Sequence, residues 1–156
     1  MMPKFRNALR NEAGLTISEL MVAVSILGIL VAIGMPNFLS TLPDLRLNDA
    51  ARQVATDLQQ IRMKAIAQNI PYQATFSTGS YVLKRCTNAA CSATTNDSGD
   101  IVLPEGITIS TAITAQFQPR GTASNNYTVT LSNGSAQKWV CVRTVGRVRI
   151  QDSACS

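Results

Sequence analysis

Leu20 to Pro43 is a run without a single charged side chain, and Glu19 stands at its mouth. From Leu20 to Leu39 a helix rises about 30 Å at roughly 1.5 Å per residue, which is enough to cross the hydrocarbon of a bilayer. One membrane helix near the start of the chain is therefore expected. A carboxylate beside hydrocarbon is costly unless it meets a partner, which makes Glu19 a functional candidate. Lys4, Arg6 and Arg10 precede the run against Glu12, and the next cation is Arg46. That asymmetry orients the amino terminus toward the cytoplasm and the remainder outside it.

An ordinary secretory signal places its small-residue cleavage site after the apolar region. Here Ala13-Gly14 comes before it, so the apolar segment is expected to survive processing. The order of basic leader, Gly14, Leu15-Thr16-Ile17-Ser18-Glu19, apolar helix and Pro36 resembles the class III signal of type IV pilins and type II secretion pseudopilins. The resemblance implies that a prepilin peptidase cuts after Gly14 and methylates the new amino terminus at Leu15, where Phe is the usual residue. It also implies that Glu19 meets the α-ammonium of a neighbouring subunit during assembly, an attraction much stronger beside hydrocarbon than in water. Ser25, Gly28, Ala32 and Gly34 offer small surfaces for close helix approach, although ordinary membrane helices carry such residues too. A plain single-span anchor is the blander alternative, and it predicts the same membrane helix.

This reading divides the chain into a leader (1–14), a membrane and assembly helix (15–43) and a globular periplasmic domain (44–156). The 113 residues after Pro43 suffice for one small domain with a thin core. Cys86, Cys91, Cys141 and Cys155 all lie in that domain, on the side where disulfides form. Four thiols allow three pairings, and the local one, Cys86 with Cys91 and Cys141 with Cys155, is preferred while crossed pairing stays open. Cys-x4-Cys without any His is a poor match to zinc spacing, so no metal and no cofactor are expected.

Apolar residues at Leu47, Ala51, Val54, Leu58, Ile61 and Ala65 alternate steps of four and three, the stripe of an amphipathic helix over 44–70. Pro36 and Pro43 are candidate bends or breaks ahead of it, and Pro71 ends it. Beyond Pro71 the period changes to two. Tyr72, Ala74 and Phe76 alternate with polar residues, and Ser77-Thr-Gly-Ser80 turns the chain into Tyr81–Cys86, a hairpin. Residues 87–100 read as a surface loop. Short strands are expected at 101–103, 107–110, 115–117, 127–131, 138–143 and 147–150, with a turn at Asn133-Gly134. The fold class is α+β: a long N-terminal helix, half membrane and half amphipathic, packed on an antiparallel sheet over 71–156.

Phe117-Gln-Pro-Arg-Gly121, Tyr127–Gly134 and Val140-Cys-Val-Arg-Thr-Val-Gly-Arg-Val-Arg-Ile150 resemble the carboxyl-terminal region of the FimT/FimU/GspH branch of pilin-like proteins. A cysteine in the penultimate strand and another near the last residue are similar to FimU-like proteins, a resemblance that supports the Cys141–Cys155 pairing. Gly146-Arg147-Val148-Arg149 resembles the Gly-Arg-x-Arg tail motif of FimT-type pilins implicated in DNA uptake. Lys138, Arg143, Arg147 and Arg149 fall in an acid-free stretch, and Arg120 joins them if the strands lie adjacent. Alternating arginines on a strand share a face and suit a phosphate backbone. The structural alternative is a basic edge strand that discourages sheet aggregation. Without the leader the charge is 11 Lys+Arg against 8 Asp+Glu, so the basicity is local. Trp139 and Tyr127 read as packing aromatics rather than base-stacking ones.

The chain has no histidine, no evident carboxylate pair and no glycine-rich phosphate loop, which argues against an enzyme. The resemblance implies a minor pilin of the FimT/FimU kind, anchored in a bacterial inner membrane and inserted into a pilus with major and minor sibling pilins. Double-stranded DNA is a candidate ligand of its basic tail. The alternative is a type II secretion minor pseudopilin of the GspH kind, with the same helix in a pseudopilus.

Overall fold

The computed structural model describes residues 16–155, and of residues 36–39 the backbone alone. Helix α1 (Ile17–Gln68) holds 52 residues and is helical through both Pro36 and Pro43. Of the candidate bends or breaks, a break is therefore excluded at both prolines. Each proline removes one backbone donor, and the hydrogen bonds of the surrounding turns carry the helix on. Asn69 closes it with a left-handed backbone, φ 55°, its N–H donating to Ile66 O at 3.4 Å. Asn tolerates that conformation, and Pro71 follows where the helix cannot continue.

The described residues form two compact units that divide after Ser40. In the first, Ile17–Met35 is a 19-residue apolar span of membrane-crossing length, with none of it buried inside the protein. In the second, the stripe Leu47, Ala51, Val54, Leu58, Ile61 and Ala65 is buried, joined by Ala50 and Ala55. Its apolar partners are Tyr72, Ala74, Phe76, Tyr81, Phe117, Val129, Leu131, Val140 and Val142, all in one core. A large-to-small change such as Leu58→Ala in such a core costs about 2–5 kcal/mol.

Strands β1 (Tyr72–Phe76), β2 (Ser80–Cys86), β3 (Thr94–Asn96), β4 (Ile101–Val102), β5 (Thr108–Ile109), β6 (Ile113–Phe117), β7 (Tyr127–Ser132), β8 (Gln137–Val142) and β9 (Val148–Gln151) follow in order. The expected single sheet is in fact two, both antiparallel. One runs β3-β2-β1-β6 with β4 also on β2, and the other runs β5-β7-β8-β9. The division falls after Phe117. Gly121 N–H donates to Gln118 O and Gln118 N–H to Thr122 O, both at 2.8 Å, so the chain turns tightly. Ala123 makes only an isolated bridge back to Phe117. β7 then takes β8 and β5 as neighbours instead of β6.

The stretch 87–100, expected as loop alone, contains β3, which pairs its Thr94 with Cys86 and its Asn96 with Lys84. The Cys86–Cys91 bridge turns the chain back beside β2 and brings this pairing within reach. Lys64 Nζ meets Asp97 Oδ2 at 2.6 Å and ties the same segment to α1. Tyr81 is buried in the core with its hydroxyl donating to Asp57 Oδ2 at 2.5 Å. Burial, with the Asp57 hydrogen bond and charge behind it, raises the Tyr81 phenol above its ordinary value.

Candidate functional site

The register of β8 and β9 decides which basic side chains meet. Cys141 lies opposite Arg149 and Trp139 opposite Gln151, while Val140 and Val142 lie opposite Ile150 and Val148. Side chains alternate between sheet faces, so the valines point to the core and the Cys141, Arg149 and Gln151 set points away from it. Arg143, Arg147 and Arg149 line one cleft with Cys141 and Gln151, about 210 Å³ in volume. All three arginines are exposed, and among the described residues no carboxylate pairs with any of them. A concave surface lined by three guanidinium groups has the chemistry to hold oxyanions, because each guanidinium carries a planar fork of donors.

Lys138 does not join this cleft. Its position on β8 has the parity of Val140 and Val142, and its ammonium is paired with Asp152. Asp152 stands just beyond the acid-free stretch that drew Lys138 into the basic set. Arg120 is exposed and lines a different groove with Asn69, Gln118, Pro119 and Thr122. Its turn nevertheless abuts the turn of the cleft, since Ala123 N–H donates to Thr144 O at 2.9 Å. Gln151 was not singled out from the sequence. The period of two that links Arg147 to Arg149 leads directly to it. Trp139 and Tyr127 are both half-buried.

The turn between β8 and β9 is closed by Arg143 N–H to Arg147 O at 2.9 Å and by Gly146 N–H to Arg143 O at 2.7 Å. Asn126 Oδ1 accepts from Thr144 N–H at 3.0 Å. Gly146 has φ +82°, and a Cβ there would lie 1.9 Å from Gly121 O and 2.7 Å from Arg62 Nε. Gly121, at φ +79°, shares the backbone angle, with the mobile Ile66 Cδ1 2.6 Å from its would-be Cβ. Gly146 demands glycine for backbone angle and for space together, whereas at Gly121 the flexible Ile66 side chain can give way and the backbone angle is the main demand. Arg62 Nε–H donates to Gly121 O at 2.8 Å from a half-buried position on α1. Arg62 lies off the apolar stripe of α1, and no local sequence signal marks its role.

Two disulfides are formed, Cys86–Cys91 with Cα atoms 4.8 Å apart and Cys141–Cys155 with Cα atoms 5.8 Å apart. The second carries the tail across the outward face of β8, beside the arginine cleft. Among the described residues no cluster of His, Cys, Asp and Glu has the makings of a metal site.

Toward the amino terminus, Gly14 and Leu15 lie outside the described residues. Thr16 and Glu19 form a capping box. Thr16 N–H and hydroxyl donate to Glu19 Oε2 at 3.0 and 2.9 Å, and Glu19 N–H donates to Thr16 Oγ1 at 3.2 Å. Farther along, Gly28 and Gly34 leave open space where a side chain would stand, so a second helix has room to approach there.

A family profile described as Type II transport protein GspH matches residues 50–146, well over half the chain. The chain belongs to the GspH family. Its matched region opens on the buried stripe of α1 and ends at Gly146, the glycine of the cleft turn. A second profile, the prokaryotic N-terminal methylation motif, matches residues 9–35, spanning Gly14, Leu15 and Glu19. Together they place the chain among the minor pilins and pseudopilins of type IV pili or type II secretion, structural subunits rather than enzymes. The methylation motif and the apolar helix fit anchoring in an inner membrane and assembly with other pilins. The fold is similar to that of the Pseudomonas aeruginosa type IV minor pilin FimU. One crystal form of FimU aligns with TM-score 0.55 at 18% identity, covering 67% of this chain and 87% of that one. A second crystal form gives 0.49 at 16% identity, over 67% and 92%. No curated protein matches the sequence.

Proposed function

We propose that this GspH-family protein is a minor pilin of a type IV pilus whose arginine cleft holds the phosphate backbone of double-stranded DNA. The prepilin peptidase cuts after Gly14 and methylates Leu15. Residues 15–43 anchor the chain in the inner membrane with residues 44–156 in the periplasm, and the helix then packs against sibling pilins in the filament. Glu19 receives a neighbour's α-ammonium at that step, an attraction that gains strength from the apolar surroundings.

The DNA part rests on one observation: Arg143, Arg147 and Arg149 line a common cleft without an acidic partner among the described residues. Such a site neutralises phosphates and releases counterions, giving binding that is sequence-independent and steeply salt-dependent. Full-length protein in detergent, titrated with duplex DNA at several salt concentrations, tests it. The Arg143, Arg147 and Arg149 to Ala triple variant is expected to lose most of the affinity and to flatten the salt dependence. Equal binding by wild type and triple variant at low salt ends the DNA assignment.

A pseudopilin of a type II secretion system is the second reading, favoured by the description of the matching family profile. Deleting the gene in its host separates the two. Loss of pili with secretion intact supports the pilus, and loss of secretion with pili intact supports the pseudopilus.

A further inference from the structure

We propose that Arg62 is the positioning residue of the arginine cleft, acting from helix α1 through a shared glycine contact and not as a ligand of DNA itself. The proposal rests on the phosphate-binding reading of the cleft. Three segments distant in sequence meet at one carbonyl. Arg62 Nε–H donates to Gly121 O at 2.8 Å, and Gly146 packs so closely over that same oxygen that a Cβ would come within 1.9 Å of it. The turn that follows from Gly146 is the one that sets Arg143 and Arg147 across from each other, closed by their 2.9 Å backbone bond.

The geometry has a direction. The oxygen of Gly121 belongs to a tight turn that also braces Thr144, through Ala123 N–H at 2.9 Å. If that turn shifts, the support on one side of the β8–β9 turn shifts with it. Among the described residues, Asn126 Oδ1, accepting from Thr144 N–H, is then the remaining brace on Thr144. Among the described residues, Arg62 is the group that fixes the Gly121 carbonyl to the helix by a hydrogen bond, and the helix around it is buried through Leu58, Ile61 and Ala65. A rigid element thus sets a turn, and the turn sets the spacing of guanidinium groups. Binding sites depend on such support for affinity, since a loosely held set of donors must be ordered again on each encounter.

Two substitutions separate positioning from charge. In Arg62→Gln the amide nitrogen sits the same number of bonds from the backbone as Nε, so a donor toward Gly121 O survives while the charge is lost. In Arg62→Met both donor and charge are lost at similar length. With full-length protein in detergent and a short mixed-sequence duplex, Arg62→Met is expected to bind roughly three- to ten-fold more weakly, the effect of one hydrogen bond. Arg62→Gln is expected to stay near wild type, with the salt slope unchanged in both variants. A Gln variant as weak as the Met variant, with the salt slope reduced by about 0.9, means that Arg62 touches a phosphate itself and overturns the proposal. Wild-type binding by the Met variant overturns it as well.

Amide hydrogen exchange supplies a readout independent of DNA. The Arg143 and Gly146 amides, both bonded within the turn, are expected to exchange faster in Arg62→Met and at the wild-type rate in Arg62→Gln. If the wild type binds no DNA, the function reading fails, and this exchange pattern still decides the positioning. Unchanged exchange in Arg62→Met sinks the positioning whatever DNA does.

Discussion

Gly146→Ala is the sharpest perturbation of the cleft, and its cost follows from two separable effects. The first is backbone conformation: at φ +82° an L-residue loses about 1–2 kcal/mol relative to glycine. The second is collision. The new Cβ would lie 1.9 Å from Gly121 O, where real Cβ contacts essentially never fall under 3.0 Å, so one of the two peptides must retreat by about 1.1 Å. That retreat strains the Arg62 Nε to Gly121 O bond of 2.8 Å and the Ala123 N to Thr144 O bond of 2.9 Å. Each is worth about 1 kcal/mol. The total is about 3–4 kcal/mol.

Gly134→Ala is the matched control, since Gly134 has φ +89° but nothing within 4 Å of its would-be Cβ. It bears the backbone cost alone, about 1–2 kcal/mol. Thermal unfolding in detergent, followed by the near-ultraviolet circular dichroism of Trp139, reads the difference. For a domain of this size the expected Tm losses are roughly 10–15 °C for Gly146→Ala and roughly 4–8 °C for Gly134→Ala. Equal losses would show that the Gly121–Gly146 contact is soft, and the account of the cleft turn as a tightly packed support would be wrong.

Tyr81→Phe leaves the half-buried Asp57 carboxylate without its donor and is expected to cost about 1–3 kcal/mol by denaturant titration. Because the folded phenol is raised, wild-type stability is fully present below the ordinary tyrosine value of 10.0 and falls as pH climbs beyond it, where only the unfolded chain ionises. Tyr81→Phe is expected to lack that share of the alkaline decline, and an identical decline in both proteins refutes it. Removing the Cys141–Cys155 bridge by paired Ser substitutions is expected to cost about 3 kcal/mol, against about 2 kcal/mol for Cys86–Cys91, because the longer loop constrains the unfolded chain more. Denaturant midpoints in the opposite order would count against it. Glu19→Gln keeps a side chain able to complete the capping box with Thr16, whereas Glu19→Ala removes box and charge together. If the charge draws in neighbouring pilins, both variants crosslink to siblings less than wild type while processing stays intact. Recovery by Gln alone assigns the residue to the helix cap.

Periodic features were legible because each is decided locally. The stripe from Leu47 to Ala65 is buried as its spacing required, and most strands fall within two residues of their expected places. Burial of one face leaves an imprint every three or four residues in a helix and every two in a strand. The division into two sheets left no such imprint. It depends on how residues 118–123 turn, and hydrogen bonds between peptide groups in that turn carry no side-chain pattern. The cleft shows the same split. Arg147 and Arg149 share a face by parity alone, but Lys138 leaves the set because a partner, Asp152, waits across the register of two strands. Arg62 was beyond reach altogether. Its oxygen partner is 59 residues away in sequence and belongs to a backbone, which no residue type announces.

Glu19 joins the two levels of organisation. An acid at the start of a helix needs no neighbouring subunit to justify it: the exposed N–H groups and the helix dipole favour it there, and Thr16 completes the box. The Thr16 backbone N–H and its hydroxyl both donate to Oε2, leaving Oε1 without a partner among the described residues. The carboxylate is thereby oriented by its own helix while one oxygen remains for an incoming cation. Under the proposed cleavage after Gly14, the new α-ammonium at Leu15 is adjacent in sequence to the Thr16 N–H that orients the acid. Under the proposed assembly, capping and subunit pairing are successive uses of one side chain, the first holding the carboxylate ready for the second. A helix start ordered before assembly loses less freedom when a neighbour arrives, which is a physical reason for the acid to sit three residues from a threonine rather than deeper in the apolar run.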